Sequence, residues 1–392
     1  MIARCSRREA LRLAGAGALG LLLARCAPAR TPVPWKTTRG PFPLLEVAGT
    51  PWQIGYAHGK GFRSRIHQVL GVLSERWEAC RRRAGDPAVR RFREATGDLF
   101  PRVLEEIEGI AEGAGLDPGE LFAWNCRSEL DVLPPGDADG CSTIGMVREG
   151  KVYLAHNEDG HGAYHGRMVL LLARPEGSVP FLCLVYPGTI PGVGPGLNAR
   201  GVVQTTNYIG PRSIPGEGVP RYVLGRAILE AGSLDEAVRI ATTRPRAFPW
   251  HHNLADLPGG RLVSVETWPA DPEREDLLEV TDEMAPYVHT NHLVHPRMRG
   301  LPERRDYMER SSLPRYRALS DWLASNPPPR GLDDLLAALS IHEGDPTPVC
   351  RHAEDGRTLA TGLFASPGAE MTLVTGPPCR GVRHAWRIPA DA

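Results

Sequence analysis

The sequence predicts an α+β fold in which two β-sheets face each other and each is covered by helices. Three observations carry this. Apolar residues recur at helical spacing over roughly 54–124, as in Leu104, Ile107, Ile110 and Ala111. At Cys141 the pattern switches to strand-like segments, of which Met168–Ala173 and Phe181–Tyr186 are too continuously apolar to have a wet face. Helical patterns return within and after this strand-rich centre, and more strands close the chain, an order that reads as α+β.

In chain order, the first 29 residues read as an export signal outside the fold. Ser6-Arg7-Arg8-Glu9-Ala10-Leu11 resembles a twin-arginine motif, an apolar run spans Leu13 to Ala24, and Ala27-Pro28-Ala29 offers a small-x-small cleavage site. The run is too short to span a bilayer comfortably. A basic N-terminal anchor is the competing reading. Leu23-Ala24-Arg25-Cys26 also resembles a lipobox, except that Arg25 stands where a small residue is needed. The expectation is a periplasmic or secreted protein with no stable membrane span.

Residues 30–43 carry Pro32, Pro34, Pro41 and Pro43 and read as a linker or extended arm. Leu44–Val47 reads as a strand, followed by a long helix over about 54–83 and a second over about 88–111. Asp117 caps a short helix carrying Leu121, Phe122 and Trp124. Cys141–Val147 and Lys151–His156 form a hairpin around Glu149-Gly150. After a Gly-rich stretch from Pro187 to Gly201 come a strand at 202–206 and helices at about 220–231 and 234–243. Strands near 252–255, 262–266 and 287–290 precede helices at about 312–324 and 331–340, and the last strands lie near 359–364, 371–374 and 384–388. There is no internal repeat.

Composition is that of an ordinary globular chain, 42% apolar and 23% charged. With 46 basic and 46 acidic residues the net charge is zero, which argues against a nucleic-acid binder or a polybasic membrane binder. Removing residues 1–29 takes away five arginines and one glutamate, so the remainder carries net −4. Cys80, Cys126, Cys141, Cys183, Cys350 and Cys379 lie beyond the leader, too sparse for a disulfide scaffold.

Asp139-Gly140-Cys141-Ser142-Thr143 is the segment that carries chemistry. A cysteine freed at a new N-terminus holds two tools, a thiolate to attack a carbonyl and an α-amine to act as general base. Their ordinary pKa values, roughly 7.7–8 and 8.5, let the proton pass between them at little cost. Before cleavage the same thiol can attack the Gly140 carbonyl, and glycine there lets the backbone bend for the shift. If the hairpin forms, Asp159 returns beside the start of the Cys141 strand, where a carboxylate can orient an α-ammonium group. Asn207 and Asn291 stand at the ends of predicted strands, where an amide can face a developing oxyanion. Taken singly, each of these has a bland structural reading: a buried thiol, a turn cap and two loop-end hydrogen-bonders.

Together with motifs on both sides, these residues resemble the isopenicillin-N acyltransferase (acyl-coenzyme A:aminopenicillanate acyltransferase-like) family of N-terminal nucleophile hydrolases. The resemblance spans Gly49-Thr50-Pro51, Ile54-Gly55-Tyr56-Ala57-His58-Gly59-Lys60, Glu105 to Gly113, and Trp124 to Leu130. It continues through Gly140-Cys141, Asn157-Glu158-Asp159, Leu197 to Gly201, Thr290-Asn291-His292, Pro348 to His352, and Gly376-Pro377-Pro378-Cys379. It implies a four-layer αββα sandwich. It implies Cys141 as nucleophile, Asp159 as its orienting carboxylate, and Asn207 and Asn291 as the oxyanion site. Asn157 stands where related bile-salt hydrolases and acid ceramidase have an arginine, which makes it the residue expected to alter substrate recognition. The family's arginine is assigned to Arg315, with Arg297 and Arg299 as rivals. The implied division is a fragment 44–140, split off at Gly140-Cys141 and staying associated, and a catalytic core 141–392.

Other motifs give way. Pro195 and the strand after it spoil Gly192-Val193-Gly194-Pro195-Gly196 as a dinucleotide loop. Among His156, His161, His165, His251, His252, His289 and His292 no pair has zinc-site spacing on a predicted helix. No cofactor and no metal is expected. The expected activity is hydrolysis or transfer of the acyl group of a small N-acyl amide. A non-catalytic exported binding protein and a metallohydrolase are the alternatives.

Overall fold

The computed structural model describes residues 30–130, 140–269, 274–353 and 356–389. The expected export signal at 1–29 and Asp139 lie outside the described residues. The chain divides into Met1–Thr31 and Pro32–Ala392, and everything below concerns the second unit.

In it, β1 (Trp35–Thr38) and β2 (Leu44–Gly49) precede a helical stretch: α1 (Pro51–Gly61), α2 (Arg63–Val72), α3 (Ser74–Arg83), α4 (Pro87–Leu99), α5 (Pro101–Ala114) and α6 (Pro118–Asn125). Then come β3 (Cys141–Arg148), β4 (Lys151–Gly160), β5 (Val169–Pro175), β6 (Phe181–Val185), β7 (Gly196–Asn198) and β8 (Val202–Tyr208). Helices α7 (Arg221–Ile228) and α8 (Leu234–Ala241) lead to β9 (Trp250–Asp256), β10 (Arg261–Trp268), β11 (Arg274–Val280) and β12 (Tyr287–His289). The chain closes with α9 (Arg305–Tyr307), a π-helical turn at Met308–Ser312, α10 (Leu313–Ser325), α11 (Leu332–Leu339), β13 (Arg357–Ala365), β14 (Glu370–Thr375) and β15 (Arg383–Arg387).

Among the described residues the strands form two sheets, one of nine strands ordered β1-β2-β5-β6-β7-β8-β9-β10-β11 and one of six ordered β12-β3-β4-β13-β14-β15. Pairing is antiparallel except for β2 with β5. The sheets meet where β3 lies against β8 and β10; α1 and α8 cover the outer face of the larger sheet, and α10 and α11 that of the smaller. This is the αββα layering. Side-chain alternation along β3 sets its two faces. Ile144 and Met146 pack with Leu319, Leu335 and Leu339 of the helices, while Val147 joins the large core that also holds Leu170, Leu184 and Trp124.

The predicted helix over 54–83 is three helices, broken at Phe62 (φ −113°, ψ 17°) and Leu73 (φ −96°, ψ 31°). The one over 88–111 ends at Leu99, because Pro101 has no N–H to continue the hydrogen-bond ladder. The Pro-rich arm is partly ordered: Trp35–Thr38 pairs along Leu44–Val47 and forms one edge of the large sheet. The short β7 and the β11 edge have no matching strand in the sequence reading, since one lies in the Gly-rich stretch and the other is largely exposed and charged.

Helices α1 and α5 explain two of the quoted motifs. A Cβ on Gly55 would lie 2.1 Å from the Glu106 carbonyl oxygen, and one on Gly59 2.1 Å from that of Ile110. In return, Gly109 and Gly113 would meet the Trp52 and Tyr56 carbonyls at 2.2 and 2.3 Å. The two helices therefore touch backbone to backbone, which only glycine permits at these four places.

Candidate active site

The site grows from the open end of the β3–β4 hairpin, opposite its Glu149-Gly150 turn. Register pairs Cys141 with Glu158 and Ser142 with Asn157, so Cys141 and Glu158 share the face toward the larger sheet while Ser142 and Asn157 face the helices. Thr143 and His156 share the first of these faces and bond each other (Oγ1 to Nδ1, 2.8 Å). The Cys141 thiol, one His156 nitrogen and one Glu158 carboxylate oxygen all lie within 4.8 Å of one another.

The Gly140–Cys141 peptide is held from both sides. Asp159 N–H donates to the Gly140 carbonyl at 2.8 Å. Cys141 N–H donates to Asn291 Oδ1 at 2.9 Å. Arg315, fully buried, donates to the Cys141 carbonyl (2.6 Å), Ser142 Oγ (2.9 Å) and Asn291 Oδ1 (2.7 Å). The Asp159 carboxyl accepts from Thr358 Oγ1 at 2.7 Å, and its other oxygen has no hydrogen-bond partner among the described residues. A Cβ on Gly140 would lie 2.6 Å from Arg351 Nη1, 3.4 Å from Asp159 Oδ2 and 3.5 Å from Arg315 Nη2. Three charged groups thus crowd the α-carbon of residue 140, a second reason for glycine beside the flexibility the sequence suggests.

Burial governs the electrostatics. It raises the Asp159 carboxyl to about 6, against the pull of Arg351 and Arg315 and the Thr358 hydrogen bond. The same burial lowers the Arg315 pKa and raises that of Tyr307, whose ring stands beside Tyr208 at 5.7 Å. The π-helical turn places Ser311 and Ser312. Ser311 accepts from Arg315, and Ser312 Oγ accepts from Asn291 N–H (2.7 Å) and meets His292 Nδ1 (2.7 Å). Two clefts lie among the partners of these residues, and Cys141 lines neither. One, of about 340 Å³, is lined by Tyr307, Ser311, Arg351 and His352. The other, of about 450 Å³, is lined by Tyr208, Ile214, Phe248, Arg212, Arg304 and Arg305.

Of the residues singled out in the sequence, Gly140, Cys141, Asp159, Asn291 and Arg315 come together. Asn207 lies one bond away: its oxygen accepts from Thr143 (3.1 Å) and Asn253 (3.0 Å), and its amide nitrogen is buried without a hydrogen-bond partner among the described residues. Three expectations change. Asn291 presents its oxygen, an acceptor, to the junction and gives its amide hydrogens to the Tyr208 carbonyl at 3.0 Å, so in the intact chain it is not arranged as an oxyanion donor. Asn157 is turned to the helices, donating to the Leu339 and Val349 carbonyls (2.9 and 3.2 Å) and accepting from Thr361 (2.6 Å). With its hydrogens used it braces α11 and has none to offer a substrate. Arg297 and Arg299 are exposed and away from the junction.

The sequence reading passes over Arg351, Thr358, Tyr307, Ser311 and the pairing of His156 with Glu158. Arg351 and Glu158 stand inside quoted motifs, and His156 and Glu158 meet through i, i+2 spacing on β4, whereas distant segments bring in Thr358, Tyr307 and Ser311.

The sequence model of the acyl-coenzyme A:6-aminopenicillanic acid acyl-transferase family matches residues 146–379, more than half of the chain. The β-alanyl-dopamine/carcinine hydrolase of Drosophila melanogaster is 25% identical over 380 residues, covering 88% of this chain and 96% of the relative. The acyl-coenzyme A:6-aminopenicillanic-acid-acyltransferase 40 kDa form of Emericella nidulans is 26% identical over 200 residues, covering 50% of this chain and 55% of the relative. A solved structure, the Caenorhabditis elegans N-acylethanolamine-hydrolyzing acid amidase (NAAA) ortholog, superposes with a TM-score of 0.40 at 11% identity over 64% of this chain and 100% of that one. The match across the strand-rich half, from inside β3 to the turn after β14, makes this chain a member of the acyl-coenzyme A:6-aminopenicillanic acid acyl-transferase family, which comprises acyltransferases and amidase-type hydrolases.

Proposed function

We propose that the chain is an exported, self-processing cysteine amidohydrolase that cuts itself between Gly140 and Cys141 and then hydrolyses a small N-acyl amide. One observation carries this reading: the Gly140–Cys141 peptide has a donor on its carbonyl (Asp159 N–H) and an acceptor on its N–H (Asn291 Oδ1), beside the thiol of the same residue. The carbonyl bond continues the β3–β4 pairing, whereas the N–H is taken by a side chain 150 residues away that Arg315 also holds.

In the first step the Cys141 thiol gives up its proton and its sulfur attacks the Gly140 carbonyl carbon. His156, with Glu158 beside it, is the base at hand, since no α-amine yet exists. The Asp159 N–H stabilises the developing oxyanion, a role worth roughly 3–4 kcal/mol per donor. The C–N bond breaks, the amine nitrogen takes a proton, and water hydrolyses the thioester. Gly140 is left with a carboxylate and Cys141 with a free α-amine. Asn291 Oδ1, Arg315 and Asp159 then surround that amine, which serves as base while the thiol attacks the substrate. The substrate's amine leaves protonated, and water releases the acyl group from sulfur.

The two fragments stay together in this reading. Strand β2 pairs with β5 across the junction, and Glu106 of α5 bonds Arg226 of α7 at 2.7 Å in the interior. Hydrolysis is favoured over transfer from coenzyme A because acyl thioesters are scarce outside the cytoplasm, and the full-length relative is named as a hydrolase. The second cleft joins aromatic rings to Arg212, Arg304 and Arg305 against one carboxylate, Asp306, a net positive lining that favours a substrate bearing a carboxylate. The test is intact mass and N-terminal sequencing of the purified protein. Two chains are expected, one beginning Cys-Ser-Thr, and one continuous chain for Cys141→Ala. Cleavage of that variant, or activity of a wild-type chain with residues 140 and 141 still joined, overturns the proposal.

A further inference from the structure

Four side chains that the proposed reaction does not use converge beside the first cleft. His342, Cys350 and His352 stand between α11 and β13, and Cys379 stands in the turn between β14 and β15. One donor atom of each lies within 4.8 Å of all the others. His352 Nε2 is the hub, 3.1 Å from His342 Nε2, 3.5 Å from Cys350 Sγ and 3.4 Å from Cys379 Sγ.

Hydrogen bonding does not account for this arrangement. An imidazole Nε2 has either one proton or one lone pair, so it serves one partner well, not three. A shared ion does account for it. With metal–nitrogen distances near 2.05 Å and metal–sulfur near 2.3 Å, a tetrahedral zinc site has N···N edges of about 3.3 Å and N···S edges of about 3.6 Å. The separations from His352 reproduce these edges to within about 0.3 Å.

We propose that His342, Cys350, His352 and Cys379 bind a structural zinc ion. Two thiolates neutralise the dication, and thiolate with imidazole donors suits zinc over the hard cations. Four protein ligands close the coordination shell, so the ion holds structure and activates no water. What it holds is specific. It ties the 342–352 loop to the β14–β15 turn, and Arg351, between two of the ligands, is the residue whose guanidinium abuts Gly140. The spacing conceals the site from the sequence: there is no Cys-x-x-Cys pair, and Cys379 lies beyond two intervening strands.

The test uses the full chain purified without chelator. Elemental analysis should find about one zinc per chain, and the same for Cys141→Ala, whose cleavage state is separate from this site. Replacement by Co²⁺ should give the visible absorption of tetrahedral cobalt with a near-ultraviolet thiolate band. His342→Ala alters an exposed position and should still fold. That variant and Cys379→Ser should each lower zinc affinity, read by competition with a chromophoric chelator, by at least about tenfold. The proposal is overturned if thiol-reduced protein takes up no stoichiometric zinc. It is equally overturned if Cys350 and Cys379 are found cross-linked in unreduced peptide maps and zinc does not prevent the bond, or if His342→Ala binds zinc as the parent does.

Discussion

Asp159→Asn, made in a Cys141→Ala chain so that both proteins stay uncut, should stabilise the fold at neutral pH. The buried carboxyl titrates at about 6 against 3.8 for the free group, with burial the largest cause. Its folded pKa is raised, so the protonated form fits the fold better, and stability is lost as pH rises from the unfolded value through the folded one. About two pKa units at 1.36 kcal/mol each give a penalty of about 3 kcal/mol once the group is ionised in both states. Asparagine imitates the neutral acid and escapes that penalty, while its oxygen can still accept from Thr358. Urea unfolding of the two chains at a series of pH values reads the difference. The curves should coincide below about pH 4, diverge between about 4 and 6, and stay apart by up to ~3 kcal/mol above that. A constant difference, or an asparagine chain that is the weaker one at pH 8, would refute the argument: Arg315 and Arg351 would then compensate the carboxylate fully.

Gly55→Ala should cost about 1–3 kcal/mol or more in thermal or urea unfolding, because the added methyl meets the Glu106 carbonyl backbone and the α1–α5 pair must part. Asn157→Ala leaves the buried Leu339 and Val349 carbonyls without its amide and should lose about 2–4 kcal/mol of stability; a change confined to KM would restore it to substrate recognition. Arg226→Met strands the buried Glu106 carboxylate and should cost about 3–5 kcal/mol, read as a loss of unfolding midpoint in the uncut chain. The processed enzyme should lose activity as pH falls and its α-amine base takes up a proton, and a kcat profile flat from about pH 8 to 5 would remove that amine from the chemistry.

Local pattern determined a good deal of this molecule. Runs such as Met168–Ala173 and Phe181–Tyr186 read as strands buried on both faces and fold as such, and the switch of period at Cys141 marks where the strand-rich part begins. The Gly140-Cys141 pair and the return of Asp159 were also legible, because a hairpin fixes register within twenty residues. Helix breaks at Phe62 and Leu73 were not, since no proline or glycine stands at either position.

The tertiary structure decided the rest. Which face of β4 a residue occupies follows from alternation, but what waits on that face follows from packing. Asn157 and Glu158 are neighbours in sequence, yet one braces a helix and the other stands by the thiol. Whether Asn291 shows oxygen or nitrogen to the junction depends on the Tyr208 carbonyl and Arg315, which arrive from 83 and 24 residues away. The convergence of His342, Cys350, His352 and Cys379 depends on a turn two strands further on. Residue types and short spacings are local properties of a chain; orientation, burial and partners reached across long loops are properties of the packed whole.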